Sequence, residues 1–262
     1  MINSKTDLLR YSQQGHIGTI TFNNPPANTW TLESLNALEV LVTELNKDDS
    51  VYALILQSDS EKFFSAGADL KIFADGDPKT AQIMADAFGA AFEALSAFRG
   101  VSIAAINGWA MGGGLEAALA CDLRIAEAGV QMALPEASVG LLPCAGGTQN
   151  LTRLVGEGWA KRMILCNQRV SAELALSIGL VEEVVAKGES QAAALAMAEQ
   201  ACKQSPKAVA ACKQLIQHTR YGAHAEALVM EREKFVGLFD LHDQREGVHA
   251  FLEKRSPVWQ NK

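Results

Sequence analysis

The 262-residue chain has no apolar run approaching the roughly 20 residues a helix needs to cross a bilayer, so no membrane partner is expected. Its opening stretch, MINSKTDLLR, lacks the apolar segment of a secretory leader, and its acidic residue argues against an organelle presequence. The five cysteines (Cys121, Cys144, Cys166, Cys202, Cys212) are odd in number, form no C-x-x-C pair and have no histidine at metal-ligand spacing. A disulfide framework and a metal site are therefore not expected, reduced thiols are, and the cytoplasm is the simplest compartment. Cations are also scarce. The 23 Lys and Arg against 30 Asp and Glu leave a net charge of −7, with no basic stripe, which disfavours nucleic acid as a partner. The phosphate-binding signatures G-x-G-x-x-G and G-K-[ST] are missing. So is the G-x-S-x-G elbow of a serine nucleophile, because Phe63 stands where its first glycine belongs relative to Ser65. His16, His218, His224, His242 and His249 show no catalytic spacing and read as surface or packing residues.

What the chain does have is apolar material, 48% against 20% charged, enough for a sizeable core and too much for disorder. Leu8 to Asn24 reads as two short strands about a Gln-Gly turn. Thr31, with Glu33 and Ser34, opens a helix over TLESLNALEVLVTELNKD. VYALILQS (51–58) and VSIAAIN (101–107) are continuous apolar runs of strand length, as for strands buried on both faces. Between them, EKFFSAGADLKIF reads as a loop and KTAQIMADAFGAAFEALSAF as a helix. DLRIAEA and VQMALPEASVGL read as strands, and helical period returns from Gly147 to Cys166. From Ser171 the chain is mostly helical, broken once by the strand-like LVEEVV. The alternation gives an α/β fold with βαβ units and a helical C-terminal extension.

AINGWAMGGGLEAALACDLRIA (105–126) spends three glycines at the start of a helix whose first turn carries Glu116. One reading is close packing of that helix on the sheet. Another is chemical: a helix N-terminus has unsatisfied N–H groups and a positive dipole end, and glycines let a ligand approach them. Such a site suits an oxygen that becomes negative during reaction, provided a second N–H comes from another loop. FFSAGADLK follows a buried strand, at the edge where α/β sheets place ligands, and is the natural second loop.

FFSAGADLK, AAINGWAMGGGLEAALACDLRIA and ALPEASVGLLPCAGGTQNLTRLVG together resemble the crotonase superfamily, specifically enoyl-CoA hydratases, and the likeness runs from IGTITFNNPPAN to REGVHAFLEKRSP. The resemblance implies a crotonase-like ββα spiral core over residues 1–200. Residues 201–262 would be a C-terminal helical region for CoA pocket closure and trimer packing. It implies a thioester carbonyl held by the amides of Ala68 and Gly113, and catalytic carboxylates at Glu116 and Glu136. Ala66, Leu70, Lys71, Gly112, Cys144 and Lys254 are the implied contacts to substrate or CoA, Lys254 reaching a neighbouring subunit's CoA. No metal or other cofactor is implied, because coenzyme A arrives as part of the acyl-CoA substrate, and the assembly is a homotrimer or dimer of trimers. Hydration of a 2-enoyl thioester needs water activated towards Cβ and a proton delivered to Cα, which suits two carboxylates on one face. Glu116 is expected to activate the water and Glu136 to supply the proton. The competing reading has either glutamate capping a helix or pairing with Arg124 or Arg153. The chain departs from many relatives at Cys144, where glycine is common, at Asn150, where arginine is frequent, and at the bulky Trp109. A double-bond isomerase, a thioester hydrolase and a non-catalytic acyl-CoA- or RNA-binding relative remain the alternatives at this point.

Overall fold

The computed structural model describes residue 4 and residues 6–262. Strands β1 (Leu9–Gln14) and β2 (Ile17–Phe22) pair antiparallel across Gly15. A two-residue strand, β3 (Thr29–Trp30), leads into helix α1 (Leu32–Leu45), where Thr31 and Ser34 exchange side-chain-to-backbone hydrogen bonds in a capping box. The first apolar run forms β4 (Ala53–Ser58).

The segment that reads as a loop, EKFFSAGADLKIF, instead holds strands β5 (Phe63–Ser65) and β6 (Gly67–Ala68) and a 3-10 turn at Leu70–Phe73. These strands are too short for a period-2 pattern to register in the sequence. Helix α2 (Pro78–Ser96) starts on the Asp77 cap with proline in its first turn, and the second apolar run forms β7 (Val101–Ile106). A further three-residue strand, β8 (Trp109–Met111), then precedes helix α3 (Gly113–Ala120).

Strand β9 (Leu123–Glu127) is followed by β10 (Gln131–Ala133), which covers only the start of VQMALPEASVGL. Pro135 has no N–H to continue a ladder, and the chain turns into a 3-10 segment at Glu136–Val139. Helix α4 (Gly147–Leu165), interrupted at Gly156, strand β11 (Val170–Ser171) and helix α5 (Ala172–Ser177) come next. The strand-like break is β12 (Glu183–Val185), and helices α6 (Ser190–Cys202), α7 (Pro206–His218), α8 (His224–Gly237) and α9 (His242–Leu252) follow.

Six strands form one sheet in the order β1-β2-β4-β7-β9-β12, parallel from β2 onward. Side chains alternate across it as the pleat requires. Ala53, Ile55, Ile103 and Ala105 face α6 with Ala194 and Ala198, whereas Leu54, Leu56, Ala104 and Ile106 face the larger core that includes α1 and α2. Helix α6 therefore belongs to the core, and the helical extension begins at α7. A half-buried ion pair ties α7 down: Lys213 Nζ reaches Asp122 Oδ2 at 2.7 Å and the Gly100 carbonyl at 3.0 Å.

Two smaller sheets lie where the chain leaves the large one. One has the order β11-β10-β8-β5, and β3 pairs with β6 in the other. These short strands hold the glycine-rich segments against each other. Among the described residues, no helix is long and apolar enough to cross a membrane.

Candidate active site

Each glycine of the run meets a different demand. Gly112 has φ +52° and ψ −128°, a conformation that side chains with a Cβ rarely adopt, and a Cβ there would lie 2.9 Å from Glu136 Oε1. A Cβ on Gly114 would lie 2.3 Å from the Ser65 carbonyl oxygen, so glycine lets α3 settle onto β5. Gly113 faces Phe88. Close packing, one of the two readings of this run, is thus present, and Gly112 and Gly113 also line the cleft described below.

The Gly112 amide is taken by the Ala133 carbonyl at 2.9 Å. Gly113 is the first residue of α3, so its amide has no acceptor within the helix. The β6 loop approaches this point directly, since an ideal Cβ at Gly67 would lie 3.2 Å from Gly113 N. On that loop the amides on either side of Ala68 are turned inward, Gly67 N donating to Ser65 Oγ and Asp69 N to the Trp30 carbonyl. Neither of those bonds engages the Ala68 amide, and Ala68 lines the cleft. Ala68 and Gly113, on separate elements, thus line one cleft, and two amides aimed into it would suit a developing oxyanion.

Glu116 and Glu136 line the same cleft. Glu116 is 2% exposed, and its Oε1 accepts hydrogen bonds from Ala145 N at 2.8 Å and Gly147 N at 2.9 Å. Burial pushes its carboxyl above the usual range, and the two amides oppose that shift by favouring the charged form. Glu136 is half-buried, and its Oε2 is buried without a hydrogen-bond partner among the described residues. Burial raises its carboxyl to about 7, with the Glu116 charge acting in the same direction and a backbone hydrogen bond against it. Among the described residues, neither glutamate pairs with a cation. Arg124 is held by Glu182, and Arg153 donates to the Arg220 carbonyl.

Cys144 sits in the cleft wall, its thiol pushed up to about 11 by burial and then by the Glu116 charge, so it stays protonated at neutral pH. Ala66, Leu70 and Gly112 also line the cleft. The Ala66 amide is already bonded to the Ala27 carbonyl at 3.0 Å, which leaves its carbonyl for any ligand. Lys71 and Lys254 are exposed and do not line this cleft. Lys254 follows α9 in a left-handed conformation, φ +56°. No histidine lines the cleft, and among the described residues no cluster of three His, Cys, Asp or Glu has the arrangement of a metal site.

Sequence reasoning missed the apolar walls. Phe73 and Phe88 form one side, and Val139, Leu141 and Leu142 form a rim, with Leu142 67% exposed. The signal was the run VGLLP (139–143), three residues on from Glu136, whose start reads as strand but cannot be one once Pro135 ends the ladder.

Residues 12–262 match the family model described as enoyl-CoA hydratase/isomerase. The chain is 36% identical over 244 residues to the short-chain-enoyl-CoA hydratase of Clostridium acetobutylicum, covering 93% of this chain and 94% of that one. It is similar to the structure of Pseudomonas aeruginosa DspI, with 62% identity, a TM-score of 0.96 and 97% of both chains covered. It is also similar to an enoyl-CoA hydratase structure from Bacillus anthracis, with 34% identity, a TM-score of 0.94, and 98% and 100% covered.

Proposed function

The chain belongs to the enoyl-CoA hydratase/isomerase family, and from that premise we propose that it is a hydro-lyase adding water reversibly to a trans-2-enoyl-CoA to give the 3-hydroxyacyl-CoA. The observation that supports it is the cleft itself, lined by Ala68, Gly113, Glu116 and Glu136 together. The amides hold the thioester oxygen. Glu116 orients a water and takes one of its protons as the oxygen attacks Cβ. The displaced π electrons move to the thioester oxygen as an enolate, which the two amides stabilise. Glu136 delivers a proton to Cα as the carbonyl re-forms. A carboxyl raised to about 7 retains its proton at neutral pH far better than an ordinary glutamate, which suits the donor role.

The carbonyl chemistry needs no metal or redox cofactor, and coenzyme A enters with the substrate. An isomerase needs one carboxylate to take and return a proton, so the coupled pair favours hydration. The reaction fits between a dehydrogenation that makes the 2-enoyl thioester and an oxidation of the new hydroxyl, the sequence of β-oxidation in fatty acid metabolism. The residue 201–262 region is read as closing the CoA pocket and packing a homotrimer or dimer of trimers. In support, α7 and α8 bury no residue within this chain, and Phe235 and Val236 stand exposed. Five unpaired cysteines suit the cytoplasm.

The test is direct. On adding enzyme to crotonyl-CoA, the enoyl-thioester absorbance should fall and a 3-hydroxybutyryl-CoA product should form. A shift of the double bond without water uptake, release of free CoA, or no reaction across enoyl-CoAs of varied length would overturn the reading.

A further inference from the structure

Ser65 is 0% exposed and lies between the two halves of the amide site. Its hydroxyl donates to the Asn28 carbonyl at 2.6 Å and accepts from Gly67 N at 3.2 Å. Its carbonyl oxygen and Cβ are what a side chain on Gly114 would strike, so the same residue sets how closely α3 approaches. Asn28 is itself immobilised. It is 1% exposed and left-handed, φ +49°. Its Nδ2 donates to Ser58 Oγ at 2.7 Å, and its Oδ1 accepts from Asn24 N at 2.8 Å.

From this geometry we propose that Ser65 is a positioning residue for the oxyanion hole: anchored on Asn28, its hydroxyl fixes the Gly67 amide inward and so aims the Ala68 amide at the thioester oxygen. The inference rests on the hydratase reading. The nucleophile role is already disfavoured by sequence, and the structure gives the hydroxyl other work, with its donor and acceptor capacity both engaged. Removing it deletes the hydroxyl that Asn28 O and Gly67 N share, leaving these groups only the β3–β6 pairing to hold them. Their rearrangement rotates the peptide plane that carries the Ala68 amide. Oxyanion stabilisation depends on placement within about 0.5 Å, so a small rotation is felt in the transition state before it is felt in binding.

The experiment compares wild type, Ser65→Ala and Ser65→Cys. Ser65→Ala is expected to lower kcat for crotonyl-CoA hydration about 10- to 100-fold with KM within about threefold, because only the interaction that strengthens in the transition state is lost. Difference infrared spectra of bound, carbonyl-labelled butyryl-CoA should show the carbonyl band moving back towards its position in water. Ser65→Cys, which keeps a weak donor and acceptor, should recover part of both. If Ser65→Ala does not fold, Asn28→Gly, which tolerates the left-handed backbone, should give a smaller band shift of the same sign. A wild-type carbonyl band and kcat in folded variants would overturn the positioning role. Failure of the wild-type enzyme to hydrate any enoyl-CoA would instead overturn the hydratase reading.

Discussion

Replacing Glu136 by glutamine is expected to lower kcat for hydration about 10²–10⁴-fold, the range that a positioned general acid typically contributes, with little change in KM. Glutamine keeps the shape of the side chain and removes the proton that Cα receives. The pH profile carries the same information. Burial raises Glu136 to about 7 in the free protein, so wild-type kcat/KM should fall as pH rises through that value and the acid loses its proton. The variant should lack that limb. A stability measurement separates lost chemistry from lost fold. Burial moves this carboxyl from an ordinary 4.5 to about 7, so between those values the folded chain holds more protons than the unfolded one. Stability therefore declines as pH rises through the window, and the penalty is fully present above it. Glu136→Gln removes the penalty and should melt higher than wild type at pH 8, but not at pH 4. Equal activity and an unchanged profile would remove Glu136 from the reaction.

Gly114→Val is expected to abolish measurable hydration and to destabilise the chain by on the order of 3 kcal/mol, through overpacking. The new Cβ would lie 2.3 Å from the Ser65 carbonyl oxygen, a backbone atom that cannot turn aside. Helix α3 must then lift from β5, carrying the Gly113 amide away from the β6 loop. Gly158→Ala is the control, because nothing lies within 4 Å of a Cβ there and its φ is not positive, just past the Gly156 interruption of α4. That change should leave kcat alone and stabilise by about 0.5–1 kcal/mol. Thermal melts with activity on the folded fraction check both. A Gly114→Val enzyme with normal activity and melting would contradict the close seating of α3 on Ser65.

The long elements and the glycine run were legible in the sequence because their signals are local. Two continuous apolar runs marked β4 and β7, and the Thr31–Ser34 cap marked α1. Glu116 and Glu136 were found through the family resemblance, and the structure places them in one cleft. Residue types alone had left open a pairing of either glutamate with Arg124 or Arg153, and only the fold shows those arginines engaged elsewhere. The short strands β5, β6 and β8 escaped notice, since two or three residues cannot display a period. They matter most to the site, because their pairing is what brings Gly67 against Gly113. The Asn28–Ser65 contact spans 37 residues and carries no sequence signature, yet it fixes the loop. The apolar rim at 139–142 shows in the composition but reads as strand, whereas the chain turns into a 3-10 segment after Pro135.

The decisive measurement is a crystal structure of the protein with butyryl-CoA bound. The thioester oxygen should sit about 2.7–3.1 Å from both Ala68 N and Gly113 N, with Glu116 and Glu136 facing Cα and Cβ across a shared water. A thioester oxygen bonded to neither amide, or an acyl group lying outside the space between the two glutamates, would contradict the account.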